Sequence, residues 1–248
     1  MGPNILELDI ETFPHKVYCW GLWDQNIGIN QIVEPGYTAC WAAKWYKRRG
    51  VMFSSIVDDG PEAMLQKMHD LLEVADIVIH YNGKKFDMPT LNKEFISYGM
   101  EPPSHYKEID LLQVARRRFK FPSNKLDYVA QALGLGKKVK HMGMELWTEC
   151  MAGDRKAWAL MKKYNKQDVV LLESLYERLR PWIQNHPNVS LWIDSDDPLC
   201  RVCGSDDIKK NGLEHTNTSS YQRYKCNDCG APLRGRNNLN LQKSKVLM

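Results

Sequence analysis

Leu6-Glu7-Leu8-Asp9-Ile10-Glu11-Thr12 places acids at alternate positions of an otherwise apolar run. As a strand from Ile5 to Glu11, it turns Leu6, Leu8 and Ile10 to one face and Glu7, Asp9 and Glu11 to the other. Acids two apart on a strand stand roughly 6.6 Å apart at Cα, so the oxygens of Asp9 and Glu11 can converge on a metal pair about 3.5–4 Å apart. The outer face of an edge strand gives the same alternation, and this stretch alone does not separate the two. The residues that do lie downstream.

After this strand, Lys16 to Trp23 and Ile27 to Val33 read as two more strands, joined through Asp24-Gln25-Asn26 and closed by Pro35-Gly36, which makes a meander. Trp41, Trp45 and Tyr46 fall at helical spacing, so Tyr37 to Arg49 reads as a helix with its aromatics in the core. Gly60-Pro61-Glu62 opens a helix with Met64, Leu65, Met68, Leu71 and Leu72 on one face, and Ile77-Val78-Ile79 is a buried-looking strand after it. Helices are expected again at Phe86 to Tyr98, Ile109 to Phe119, Leu126 to Leu133 and from about Asp154 to Ile183. Antiparallel strands followed by β-α-β-α predict an α/β domain on a mixed sheet.

The 248 residues are 43% hydrophobic and 26% charged, ordinary values for a folded domain with room for a second small module. No apolar run reaches the length of a membrane span and no signal-peptide pattern follows Met1, so a cytoplasmic protein without membrane contact is expected. Net charge is +4, yet Cys200 to Met248 holds nine Lys/Arg against four Asp/Glu, a balance of +5 that leaves −1 for the rest. An anionic partner for the C-terminal part follows from that asymmetry, with a solvated basic surface as the alternative.

Two further acidic stations share the chain with Asp9 and Glu11. His80-Tyr81-Asn82-Gly83 turns out of the strand at Ile77–Ile79 into a helix that begins near Asp87, where an N-cap with Pro89 in the first turn is the plain structural alternative for Asp87 but does not explain Phe86 before it or Asn82 at the strand end. In open α/β sheets ligand chemistry gathers at such strand ends. In the last long helix, Tyr164 and Asp168 are four apart and share the face continued by Leu172, Leu175 and Leu179. An acid on a buried helix face must be paired or coordinated.

The strings Leu8-Asp9-Ile10-Glu11-Thr12, Tyr81-Asn82 through Phe86-Asp87-Met88-Pro89, and Tyr164-x-x-x-Asp168 resemble, in order and spacing, the three motifs of the DnaQ-like 3′–5′ exonucleases. The tyrosine form of the third motif resembles the DEDDy branch, which includes proofreading domains of family B polymerases. The resemblance covers roughly residues 4–185 and implies an RNase H-like fold, a mixed five-stranded sheet flanked by helices. It implies that Asp9, Glu11, Asp87 and Asp168 ligate two Mg²⁺ or Mn²⁺ ions, and that Tyr164 orients or helps deprotonate the attacking water. It also implies that Thr12 and Phe13 border the pocket for the terminal nucleotide, and that Asp110 supports the site without ligating metal. His80, Asn82 and Phe86 near the strand end are candidate substrate contacts, with a structural hydrogen bond as the competing role for His80 and Asn82. Arg116 and Arg117, within Arg116-Arg117-Arg118, can track a phosphate backbone or simply face solvent.

Seven cysteines fall into two sets. Cys19, Cys40 and Cys150 are scattered and read as buried thiols. Cys200-Arg201-Val202-Cys203 and Cys226-Asn227-Asp228-Cys229 are two knuckles 22 residues apart, a spacing that suits one tetrahedral structural Zn²⁺. The module resembles a zinc ribbon, with Arg223, Lys225, Arg234 and Arg236 as candidate nucleic-acid contacts. The expected organisation is an RNase H-like domain over residues 1–193, a linker at 194–199, the ribbon at 200–236 and a flexible basic tail at 237–248.

Together these readings lead to a metal-dependent 3′–5′ exonuclease that releases nucleoside 5′-monophosphates from single-stranded 3′ ends, with DNA favoured over RNA. The ribbon assists binding or docks a replication or recombination protein. Without a polymerase domain beside it, the pairing suggests a stand-alone repair, recombination or scavenging nuclease, with a viral source as one context. The alternatives are a non-catalytic nucleic-acid-binding adaptor, or a structure-specific endonuclease or RNase on the same fold.

Overall fold

The computed structural model describes residues 2–140 and 142–240. Two compact units share the chain, one formed by Asn4–Leu175 and the other by the chain from Tyr176 onward with the first three residues. Among the described residues, no helix is long and apolar enough to cross a membrane.

In the first unit a five-stranded mixed sheet is assembled from β1 (Ile5–Thr12), β4 (Thr38–Trp45), β5 (Met52–Ser55), β6 (Ile77–His80) and β7 (Lys107–Asp110), while β2 (Lys16–Val17) and β3 (Ile32–Glu34) form a separate two-stranded ribbon. The sheet order is β5-β4-β1-β6-β7, with β1 antiparallel to β4 and parallel to β6. β1 is therefore interior, with no edge exposed to solvent, and the edge-strand explanation of its alternating acids falls away.

Around the sheet are α1 (Pro61–Glu73), α2 (Asp87–Ser97), α3 (Leu111–Arg118), α4 (Leu126–Ala132), α5 (Met144–Met151) and α6 (Arg155–Leu179). Leu6, Leu8 and Ile10 pack with Met64, Leu65, Met68 and Leu72 of α1 and with Met88, Leu91 and Phe95 of α2. On the acidic side of β1, Phe13, Ala39 and Cys40 pack with Leu146 and Cys150 of α5 and with Ala157, Trp158, Met161 and Tyr164 of α6. The alternation of β1 thus reports two layers of helix.

Three expectations for the first unit are corrected. Tyr37 to Arg49 is a strand through its centre rather than a helix: β4 runs antiparallel to both β1 and β5. Its residues Thr38 to Lys44 are all buried, so a strand covered on both faces carries no alternation and its tryptophan spacing imitates a helix. Lys16 to Trp23 and Ile27 to Val33 contribute only the short β2 and β3, and the meander of the main sheet is β1-β4-β5. Cys19 is exposed, whereas Cys40 and Cys150 are buried.

In the second unit, β8 (Ile208–His215), β9 (Ser220–Cys226) and β10 (Pro232–Asn238) form an antiparallel sheet in the order β10-β9-β8. Cys200, Val202, Cys226 and Ala231 make its small core. Of the tail expected at 237–248, residues 241–248 lie outside the described residues.

Candidate metal centre and its cleft

β1 carries Asp9 and Glu11 toward α6, which brings Asp168 against them. One carboxylate oxygen from each of the three lies within 4.8 Å of the others. The positions opposite Asp9 and Glu11 on β4 are Ala42 and Cys40, side chains small enough to leave the acids room. Asp87 is the first residue of α2, and Phe86 rather than Asp87 occupies the cap position. The Asp87 carboxylate instead accepts the backbone N–H of Ile10, at 3.1 Å, between the two acids of β1. It stands close enough that its charge raises the pKa of both Asp9 and Glu11.

Gathering like charges away from water disfavours their ionisation. Burial first, then the neighbouring acids, pushes Asp9 well above the usual carboxylate range. Burial and Asp168 push Glu11 up to about 8, and burial pushes Asp87 up to about 6. Burial raises Asp168 as well, against the pull of Lys138 and Tyr164. Asp168 is 1% exposed, and its Oδ1 has no hydrogen-bond partner among the described residues.

Two residues of the site carry no motif signal. Asn165, fully buried, donates through Nδ2 to the Asp9 carboxylate at 2.7 Å and to the Asp9 carbonyl at 3.2 Å. Lys138, between α4 and α5, forms an ion pair with Asp168, donates to the Tyr164 hydroxyl at 3.2 Å and lies 5.2 Å from its ring centroid. Its backbone N–H is held by the Asp127 carboxylate at 2.8 Å. Burial works against the Lys138 charge, but Asp168 and Tyr164 carry its pKa upward. Tyr164 is raised too, by burial and then by Asp168, so its hydroxyl keeps its proton at neutral pH. The ammonium is the positive charge that this acidic cluster needs, and the orphaned Asp168 oxygen and all-oxygen donor set fit hard divalent cations.

Beside Asp9 opens a cleft of about 530 Å³ whose lining includes Tyr81, Asn82, Arg116, Asn124, Lys125 and Lys138. Asn82 turns the chain there at φ +72, a left-handed conformation that asparagine tolerates. Its N–H donates to Asp110 at 3.0 Å, and Asp110 also caps α3. Tyr81 donates to the Asn124 carbonyl at 2.6 Å, closing one wall. Arg116 lines the cleft; Arg117 is exposed on the same helix and does not. Phe86 is exposed at the head of α2, and Thr12 is half-buried at the end of β1.

Two expected substrate contacts are corrected. Phe13 is buried edge-on between Tyr37 and Trp158. His80 is fully buried: its Nδ1 accepts the Gly83 N–H, which leaves Nε2 to donate to Glu108 at 3.0 Å. Neither offers a surface to a nucleotide.

In the second unit, ligand atoms of Cys200, Cys203, Cys226 and Cys229 also lie within 4.8 Å of one another. The Sγ pairs Cys200–Cys229 and Cys203–Cys226 are 3.6 Å apart. That is far beyond a disulfide bond and near the edge of about 3.8 Å expected of four thiolates at 2.3 Å from one zinc. Hydrogen bonds from Cys203 and Cys229 push the Cys200 thiol down to about 3, and backbone N–H groups reach Cys200 and Cys226. On the adjoining sheet Arg223 lies opposite Arg234 and Lys209 opposite Lys225. Arg234 pairs with Glu214 at 2.9 Å and covers the Tyr221 ring, while Arg236 follows on β10.

Comparison with known proteins agrees with this architecture. A structural match is the family B DNA polymerase from the hyperthermophilic archaeon Pyrobaculum calidifontis, with a TM-score of 0.55 at 18% identity. The match covers 72% of this chain and 25% of that one, so the likeness is one of fold over a quarter of the polymerase. Comparison with curated proteins gave no match. The family model described as "RNase_H superfamily" matches residues 8–180, most of the chain, and with the sheet order and the acids of β1 and α6 it establishes that this protein belongs to the RNase H superfamily.

Proposed function

We propose that the chain is a metal-dependent 3′–5′ exonuclease of the DEDDy type. The observation that carries this reading is the convergence of Asp9, Glu11 and Asp168 within 4.8 Å beside a cleft lined by Arg116, Lys125 and Lys138. Asp9, Glu11 and Asp168, with Asp87 alongside, would hold two Mg²⁺ or Mn²⁺ ions. Such ions supply nucleophile activation and charge neutralisation for phosphodiester hydrolysis. Asn165 fixes one face of the Asp9 carboxylate and leaves the other free to ligate. Tyr164, protonated at neutral pH, orients the attacking water rather than removing its proton. Arg116 and Lys125 receive the backbone of a single-stranded 3′ end, and nucleoside 5′-monophosphates leave.

The four cysteines hold one structural Zn²⁺ and make the C-terminal sheet a zinc ribbon. The like-charged pair Lys209/Lys225 repels across its strands, with Arg223 beside it on the same face, and an anionic strand lying over them relieves that repulsion. DNA is the favoured substrate, a replication or recombination protein a second partner for the ribbon, and a reducing cytoplasm the compartment that suits seven cysteines without a disulfide among them.

The test is a time course on 5′-labelled single-stranded DNA and RNA with Mg²⁺ or Mn²⁺, alongside Asp9→Ala. A ladder shortening from the 3′ end and absent from the variant is expected. Internal cuts would favour an endonuclease, and intact but bound substrate under every metal would favour the adaptor.

A further inference from the structure

Between Lys16 and Glu34 the chain leaves the main sheet as a hairpin tied by β2 and β3. Its exposed tip is unusually apolar: Trp20 is 99%, Trp23 84% and Tyr18 76% exposed, with Leu22 and Ile29 exposed beside them. Water-facing indoles in this number mark a binding surface. The tip is not slack chain. Tyr18 N–H donates to the Gln31 carbonyl at 2.9 Å, and the Gln31 side chain returns a bond to the Tyr18 carbonyl at 2.8 Å while accepting the Gly28 N–H at 2.8 Å. Gln25 donates to the Trp23 carbonyl at 2.6 Å. The aromatics are thus presented by a hydrogen-bonded frame, which lowers the ordering cost of whatever they bind.

We propose that Tyr18, Trp20 and Trp23 form a base-stacking surface that grips the unpaired bases of the strand being degraded, an inference that rests on the exonuclease reading above. Three observations favour this occupant. The hairpin springs from the end of β1 that bears the carboxylates, and Lys16 is five steps along the chain from Glu11, so its base lies within about 17 Å of them. Phe13, packed against Trp158, fastens that base to the helix that carries Tyr164 and Asp168. From Val17 to Gln31 the only charged residue is Asp24, while the cleft holds Arg116, Lys125 and Lys138. Phosphates are therefore met in the cleft and bases at the hairpin, the division of labour used to hold single strands without regard to sequence. A specific protein interface takes about 20–30 residues a side, more than this hairpin presents.

The test uses the full chain in the Asp9→Ala background, so that the strand survives, and a twenty-nucleotide oligothymidylate as probe. Quenching of tryptophan fluorescence by the probe is expected, and Trp20→Ala/Trp23→Ala should raise its Kd about tenfold or more with an unchanged melting temperature. Trp20→Phe/Trp23→Phe, which keeps aromatic faces, should restore most of the affinity. An unchanged Kd in the double alanine variant overturns the proposal. So does a fall from dimer to monomer in light scattering of that variant, which would make the hairpin a contact between copies. If the parent chain with Mn²⁺ leaves the oligothymidylate intact while quenching still depends on Trp20 and Trp23, the stacking surface stands and the exonuclease reading fails.

Discussion

Withdrawing divalent metal makes the stability of the first unit fall as pH rises. Glu11 has a folded pKa of about 8 against an ordinary value of 4.5. A carboxylate whose folded pKa is raised binds more protons in the native state than in the unfolded state, so its ionisation favours unfolding. Below about pH 4 it costs nothing; the penalty grows as pH climbs and levels off once pH passes the folded value. The displacement of about 3.5 units corresponds to roughly 5 kcal/mol for Glu11 taken alone. Asp9, Asp87 and Asp168 share the same titration, so their penalties do not simply add. Against an ordinary folding stability of about 5–15 kcal/mol this is a large fraction, and it translates to a drop of roughly 10–20 °C in Tm. The assay is a thermal melt in chelator at pH 5, 6.5 and 8.5, repeated with millimolar Mn²⁺. Tm in chelator should fall over that range, and the gain on adding Mn²⁺ should be largest at pH 8.5. A flat or rising Tm in chelator, or a Mn²⁺ gain equal at all three pH values, would refute the charge-cluster account.

Asn165→Ala removes the amide that fixes the Asp9 carboxylate, and calorimetry should show Mn²⁺ binding about 10–100-fold weaker with the fold retained. Lys138→Met takes away the ammonium paired with buried Asp168; without metal it should cost about 3–5 kcal/mol in chemical denaturation, most of it regained in Mn²⁺. Purified protein should contain one zinc per chain by atomic absorption, and Cys203→Ser should lose it together with the cooperative unfolding of the C-terminal sheet.

The acids were legible because chemistry overrides local folding preference: a buried strand carrying Asp9 and Glu11, and a buried helix face carrying Asp168, violate the rule against burying charge. β4 was illegible for the opposite reason. Burial on both faces removed the alternation that distinguishes strand from helix, and Trp41 and Trp45 supplied a false period. β7 is four residues long and runs directly into α3, too short for any periodic signal. Lys138 could not be found from spacing, since the segment between α4 and α5 reaches Asp168 through tertiary folding alone. Asn165 was hidden as well, since among Lys162, Lys163, Lys166 and Gln167 it reads as one more polar residue of the helix.

The register of β1 on β4 slips between Glu11 and Thr12, and Phe13 N–H then closes on the Tyr37 carbonyl at 2.9 Å. Chain enters and leaves the excursion at one gate, just past the last acid. Its length and composition can therefore drift without moving the carboxylates, because the irregularity absorbs changes that would otherwise slide the strand and turn its acids into the opposite layer. Thr12 and Thr38 bound a socket into which other loops can be grafted, so substrate preference on this scaffold can evolve by exchange of one segment while the chemistry stays in place.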